Sequence, residues 1–313
     1  MDVFIRILII LGAANMVVNI YRYGVFLRSS QDVLSSGRKR DKFWMNLALV
    51  LLIFFLMGYL FVAFTSAPNL MMAFILFFGS VFVTIVETLM FKLIETAKER
   101  SIDVAEVLVG VIDARDPYLN GHSQHVQALT MLFYRYLPKH IKKDLNPVSL
   151  EYAALLHDVG KLGVPESILN KPAKLNPEEW EVVVTHPEVG VRILKPLHSF
   201  DNIRDWILYH HERVDGKGYY KLKGDEIPLA ARIIAITDTY SAIRMQRSYK
   251  EAKTYEEAMA IIKEVGGTQL DQELLDIFVN IPKEELEKCM PEKVNYHVEP
   301  KVISLSQKRL SVK

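Results

Sequence analysis

The chain has 313 residues, a formal net charge of +1, 50% hydrophobic residues and a single cysteine, Cys289. One thiol excludes an internal disulfide framework, and mixed charge without a basic stripe interleaved with aromatics argues against a nucleic-acid partner. The averages conceal two environments: before about residue 95 long apolar runs dominate, and beyond it charged residues are frequent and apolar ones recur at helical spacing.

Three apolar stretches come first, at residues 3–20, 43–64 and 70–90, within a membrane domain spanning residues 1–95. Each is about long enough to cross a hydrocarbon core of roughly 30 Å as a helix. The first could be read as a cleaved secretory signal, but its positive n-region is meagre, no small-residue cleavage site follows, and two further spans do. Arg22, Arg28, Arg38, Lys39, Arg40 and Lys42 crowd the first connection, whereas residues 65–69 carry no charge. The positive-inside rule then places the amino terminus outside and everything after Phe91 in the cytoplasm, on a multi-pass protein of the cytoplasmic (inner) membrane. The short outer connection leaves no room for a folded extracellular ligand-binding domain.

Residues 96–113 read as a juxtamembrane helix continuing the third span. Its apolar positions Ala97, Ile102, Ala105, Leu108, Val111 and Ile112, with Leu93 and Ile94 before them, either pack on the following domain or form a parallel homodimer seam. From residue 114 to 290 no strand alternation occurs. Helical windows fall at 123–137, 146–157, 177–185, 187–195, 203–211, 229–243, 255–265 and 271–280, which predicts an all-α domain. Asn176 reads as an N-cap, and Pro177 and Pro187 as first-turn prolines. Residues 291–313 are polar and unpatterned, a loosely attached tail.

Histidine and aspartate recur across this helical region at His122, His157, Asp158, His186, His210, His211 and Asp238. Each is a hard-metal ligand type, and so many such groups converging in one fold would be costly to bury without a cation. Singly each has a bland reading: His122 and His186 lie at helix starts where they could face solvent, and a His-Asp dipeptide arises by chance. The adjacent His210 and His211 closing an apolar segment, and Asp238 within Ile233 to Thr237, are harder to dismiss. Lys161 lies on the same helical side as His157 and Asp158.

The ordered series Gly121-His122-Ser123, His157-Asp158-Val159-Gly160-Lys161, His186-Pro187-Glu188-Val189-Gly190, His210-His211-Glu212-Arg213-Val214-Asp215-Gly216-Lys217-Gly218-Tyr219, Ala231-Arg232-Ile233, Asp238 and Gly267-Thr268-Gln269 closely resembles the HD-GYP subgroup of HD-domain phosphohydrolases. The resemblance covers roughly residues 100–285. It implies a helical bundle whose metal centre hydrolyses the bacterial messenger cyclic di-GMP to pGpG or GMP. By position, His122, His157, Asp158 and Asp238 would hold one divalent metal, and Asp158, His186, His210 and His211 a second. Asp158 is then the bridge. A glutamate that holds a third metal in some relatives is Tyr118 here, so two metals are expected, and all-nitrogen-and-oxygen ligands favour iron or manganese.

In that setting Asp158 and Lys161 are the expected catalytic groups, with Lys161 stabilising phosphate or protonating the leaving oxygen. Arg213, Arg232 and Arg247 are candidates for phosphate contacts and Tyr219 or Tyr249 for stacking on guanine, with Asp215, Gly216 and Gly218 shaping the loop; surface or packing roles are the alternatives. Three residues depart from the family pattern: Tyr220 replaces the proline of the naming tripeptide, Ser241 an aspartate, and His125 a frequent arginine. Two rival readings follow, a receptor that holds cyclic di-GMP without cleaving it and a hydrolase for another cyclic dinucleotide or nucleotide.

Overall fold

The computed structural model describes residues 2–34, 39–64, 70–115, 121–245 and 252–291. Among them the fold is all-α, with two isolated bridges, Asp215 to Lys223 and Gly266 to Leu270, in place of any sheet. The chain divides into two compact units, Met1–Ile102 and Asp103–Lys313.

The first unit holds helices α1 (Asp2–Leu34), α2 (Lys39–Phe64) and most of α3 (Leu70–Arg115). Each contains a stretch long and apolar enough to cross a membrane, at Val3–Leu27, Asn46–Phe64 and Leu70–Ile94. The first and third outrun the expected spans because Arg22 and Lys92 interrupt the apolar pattern without breaking the helix. Asn15 and Asn19 of α1 bond Ser80 and Thr84 of α3, so polar side chains tie the two helices together.

Within the second unit, the carboxyl-terminal part of α3 buries Ala105, Val109 and Ile112 in the core, with Leu108 packed against them. The packing reading therefore holds for these positions, whereas Val111 stays exposed. Next come α4 (His122–Tyr136), α5 (Lys139–Lys142) and α6 (Pro147–Leu156), the last capped by the Asn146 side chain with Pro147 in the first turn. A tight 3-10 turn at Val159–Gly163 and α7 (Glu166–Leu169) lead to α8 (Pro177–Val184), where Asn176 and Glu179 form a capping box as the sequence predicts. Helix α9 (His186–Leu194) carries Pro187 in its first turn.

The window expected at 203–211 is shorter than predicted. A 3-10 stretch, His198–Ile203, precedes α10 (Arg204–Leu208), and His210 and His211 lie beyond the helix end. Then follow α11 (Leu229–Arg244), α12 (Tyr255–Glu264), α13 (Gln272–Phe278) and α14 (Lys283–Glu287). Leu129 and Phe133 of α4, Leu150 and Leu156 of α6, Ile233 and Tyr240 of α11 and Phe278 of α13 fill one buried core. The polar residues of interest sit where α4, α6, α9, α10 and α11 present their ends or one flank to that core. Residues 292–313 of the expected tail lie outside the described residues.

Candidate metal centre

His157 and Asp158 stand where α6 ends and the Val159–Gly163 turn begins, so a change of backbone direction turns two consecutive polar side chains inward. Gly160 makes this possible. A Cβ there would lie 1.7 Å from the His186 carbonyl oxygen, so only glycine lets the turn press against the start of α9 and bring Asp158 beside His186.

Three imidazoles share one device. The Nδ1 atoms of His157, His186 and His210 lie 2.7, 2.7 and 2.6 Å from the carbonyl oxygens of Ala154, Val183 and Ile207, each three residues earlier. A carbonyl only accepts, so each Nδ1 bears the proton and each Nε2 presents a lone pair to the interior. His122 differs: its Nδ1 is 2.9 Å from Ser241 Oγ, which is also 2.9 Å from His125 Nδ1.

The Nε2 atoms gather around Asp158. Its Oδ2 is 3.8 Å from His122 and 3.3 Å from His157, and its Oδ1 is 3.4 Å from His186 and 4.0 Å from His210. One carboxylate thus faces two groups of imidazoles. Asp238 closes the first group, with Oδ1 3.1 Å from His122 Nε2 and 3.8 Å from His157 Nε2. His211 joins the second, since ligand atoms of Asp158, His186, His210 and His211 lie within 4.8 Å of one another. Lys161 Nζ sits 2.6 Å from Asp158 Oδ2.

These groups fit a cation better than they fit each other. The Nε2 atoms of His186 and His210 approach to 3.5 Å with a lone pair on each, and His157 Nε2 and Asp158 Oδ1 are buried without a hydrogen-bond partner of normal geometry among the described residues. Electron pairs converging in a buried space are repulsive unless a positive charge lies between them.

Electrostatics keep the groups in ligand form. Burial works against the Asp158 charge, but Lys161, His157 and His186 outweigh it and hold the carboxyl well below its ordinary range. Asp238 is held low in the same way by His122 and His157 against its burial. Burial and neighbouring imidazoles push His210 well down and His211 down to about 3. His125 also falls to about 3, through burial and the charges of His122 and Arg244. His157 is the exception, because Asp158 and Asp238 override the effect of burial and raise it.

The expected substrate contacts are less uniform. Tyr219 packs against His211 with ring centroids 5.0 Å apart and reaches His186 and Trp180. Arg213 instead grips Asp215 through two hydrogen bonds of 3.0 and 2.7 Å, and Arg232 pairs with Asp271 and Asp225. Gly216 adopts φ +78 with the Lys223 stem against it, and Gly218 lies against the backbone of Glu212 and Arg213. Arg247 and Tyr249 lie outside the described residues, as does Tyr118. Sequence reasoning gave Glu212 no role, yet its buried carboxylate accepts the backbone N–H groups of Tyr220 and Leu222, both at 2.6 Å. Its position directly after the paired histidines was the available signal.

Residues 106–274 match the family described as HD domain. The chain is 40% identical over 164 residues to 3'3'-cGAMP-specific phosphodiesterase 3 of Vibrio cholerae, covering 52% of this chain and 35% of that protein. It is 35% identical over 185 residues to a cyclic di-GMP phosphodiesterase of Thermotoga maritima, covering 58% and 50%. The chain thus spans half or less of the length of these curated relatives. A solved HDG"Y"P protein from Bdellovibrio bacteriovorus is similar at a TM-score of 0.43 and 19% identity, covering 52% of each chain.

Proposed function

The chain belongs to the HD domain family, with the ordered signature of its HD-GYP subgroup, and from that premise we propose that it is a membrane-anchored, metal-dependent phosphodiesterase that hydrolyses cyclic di-GMP to pGpG, GMP or both. The observation that carries the reading is the two-sided arrangement of Asp158, with imidazole Nε2 atoms facing each of its oxygens.

His122, His157, Asp158 and Asp238 would hold one divalent cation, and Asp158, His186, His210 and His211 the other, with Asp158 shared. Iron or manganese suits this nitrogen and oxygen set. When bound, such a pair supplies Lewis acidity that makes water a nucleophile near neutral pH and offsets charge on phosphoryl oxygens. The residues do the rest. Asp158 stays ionised, and three backbone carbonyls keep His157, His186 and His210 from turning their protons inward. Lys161, beside Asp158, is placed to stabilise the phosphate or protonate the leaving oxygen. Tyr219, packed on His211, offers a ring face to a guanine, and the Arg213–Asp215 pair stiffens the loop that presents it.

In this reading residues 1–95 form the membrane domain in the bilayer of a bacterial inner membrane, with the amino terminus outside. Residues 96–113 connect it to a cytoplasmic phosphohydrolase domain at 114–290, and residues 291–313 form a tail. A homodimer would form through the connecting helix, where Val107 and Val111 are exposed.

A second reading, hydrolysis of the mixed dinucleotide 3'3'-cGAMP, is favoured by the name of the 40% identical relative and by Tyr220 at the loop. Incubating the full-length, manganese- or iron-loaded protein with cyclic di-GMP and 3'3'-cGAMP separates the two. Linear dinucleotide or mononucleotide from cyclic di-GMP is expected. Exclusive cleavage of 3'3'-cGAMP moves the assignment to the second reading, and retention of either nucleotide without cleavage by a fully loaded protein overturns both.

A further inference from the structure

Two of the three departures from the family pattern, His125 and Ser241, meet in the fold. They stand 116 positions apart in the chain, yet Ser241 Oγ lies 2.9 Å from His125 Nδ1. The same hydroxyl lies 2.9 Å from Nδ1 of His122, and all three side chains are buried.

A hydroxyl has one proton, so it donates to one of these rings and accepts from the other. Two orientations exist. If His125 donates to Ser241 and Ser241 to His122, then His122 carries its proton on Nε2, the atom 3.1 Å from Asp238 Oδ1. If His122 donates from Nδ1 and Ser241 donates to His125, then His122 Nε2 presents a lone pair toward Asp158 and Asp238. Of these two, only the second makes His122 a ligand. Buried His125 is held neutral, so in its Nε2-protonated tautomer it has the Nδ1 lone pair that this orientation requires. The thioether of Met245, 3.5 Å from Ser241 Oγ, is a weaker alternative acceptor.

We propose that Ser241 and His125 are positioning residues that act as one unit, taking the Nδ1 proton of His122 so that its Nε2 faces the cation held with His157 and Asp238. The hydroxyl does for His122 what backbone carbonyls do for His157, His186 and His210. This rests on the two-metal reading above. The side chains that orient a metal ligand typically change affinity by about 10- to 100-fold when removed.

The test is Mn2+ binding to the full-length, chelator-stripped protein, followed by equilibrium dialysis with elemental analysis and by thermal unfolding. The unaltered chain is expected to bind two ions. Ser241→Ala should weaken one of them about 10- to 100-fold while the other ion and the unfolding profile of the metal-free protein stay unchanged. Ser241→Thr, which keeps the hydroxyl, should restore binding. His125→Phe should weaken the same ion, and combining it with Ser241→Ala should add little, because both break one relay. Unchanged affinity in Ser241→Ala, or fully additive losses in the double variant, overturns the proposal. Failure of the unaltered chain to bind any Mn2+ overturns the two-metal reading itself, and the positioning role with it.

Discussion

Gly160→Ala tests whether the centre depends on backbone pressed against backbone. The added Cβ would meet the His186 carbonyl oxygen at 1.7 Å and the Gly190 amide nitrogen at 2.5 Å. Neither neighbour has a rotamer that relieves the clash. Widening the first contact from 1.7 Å to the 3.0 Å below which real Cβ contacts essentially do not occur requires a retreat of about 1.3 Å between the turn and α9. Asp158 rides on one side of that gap and His186 on the other, with Oδ1 and Nε2 now 3.4 Å apart. A misplacement of about 1 Å costs roughly 100-fold in rate, and overpacking of this kind destabilises by about 1–3 kcal/mol, less than the total of about 5–15 kcal/mol expected for a domain. The variant should therefore fold, bind fewer metal ions and lose about 100-fold or more in kcat for cyclic dinucleotide hydrolysis. Gly163→Ala in the same turn is the control, because the nearest atoms to its Cβ all belong to the Val189 side chain, which can move, with Cγ1 at 2.8 Å. It should retain both ions and most activity. A Gly160→Ala protein with unaltered metal content and turnover would refute the reasoning.

Other consequences are equally direct. Asp158→Asn should abolish binding of both ions, whereas Asp238→Asn should spare the ion on the His186 side; elemental analysis that finds equal losses would contradict a shared Asp158. In the metal-free protein, burial holds His125, His210 and His211 well below the ordinary histidine pKa, so the unfolded chain binds more protons as pH falls below about 6.5. Stability should then drop from pH 6.5 toward 4.5, while His157, raised in the folded state, contributes the opposite slope, a smaller loss as pH rises above about 6.5; denaturant titrations that show no loss from pH 6.5 to 4.5 would exclude this charge arrangement. Tyr220→Pro, which restores the family residue, removes the N–H that Glu212 Oε1 accepts at 2.6 Å and should cost about 1.5–3 kcal/mol, read as a lowered melting temperature. Tyr220→Phe loses only the exposed hydroxyl bond to Glu188 at 3.2 Å and should change stability by less than about 1 kcal/mol.

The sequence was informative wherever one residue type had one physical reason to be present. Apolar runs with at most one charge each marked three helices long enough to cross a membrane, and Asn176 with Pro177 marked a helix start that the structure closes with a capping box. The seven histidines and aspartates were legible because imidazoles and carboxylates in apolar surroundings have few other uses. Six of them fall into two ligand clusters in space, with Asp158 common to both, and Asp238 lies against His122. Where several fates were open, sequence said less. Arg213 and Arg232 read as phosphate contacts, but each finds carboxylates of its own, Asp215 for one and Asp271 with Asp225 for the other. An arginine's partner depends on which acid the fold brings within reach, and spacing along the chain does not encode that.

His125 and Ser241 show the same limit from the other side. Taken singly, each was a deviation that weakened the likeness, since a charged arginine and a charged aspartate had been exchanged for smaller-charge groups at unrelated positions. Their 2.9 Å contact makes the two departures neighbours in the fold, joined by a neutral hydrogen bond. In the proposed orientation the Ser241 hydroxyl of that contact is the acceptor for the Nδ1 proton of His122. Tyr220 answers the loss of proline differently: its backbone N–H, which proline lacks, is held by the Glu212 carboxylate beside His211, so the loop carrying Tyr219 is tied to the segment that supplies two of the imidazoles. The histidines and aspartates that gather in the fold could be picked out in the chain one by one, whereas the side chains and backbone groups that hold them required the fold.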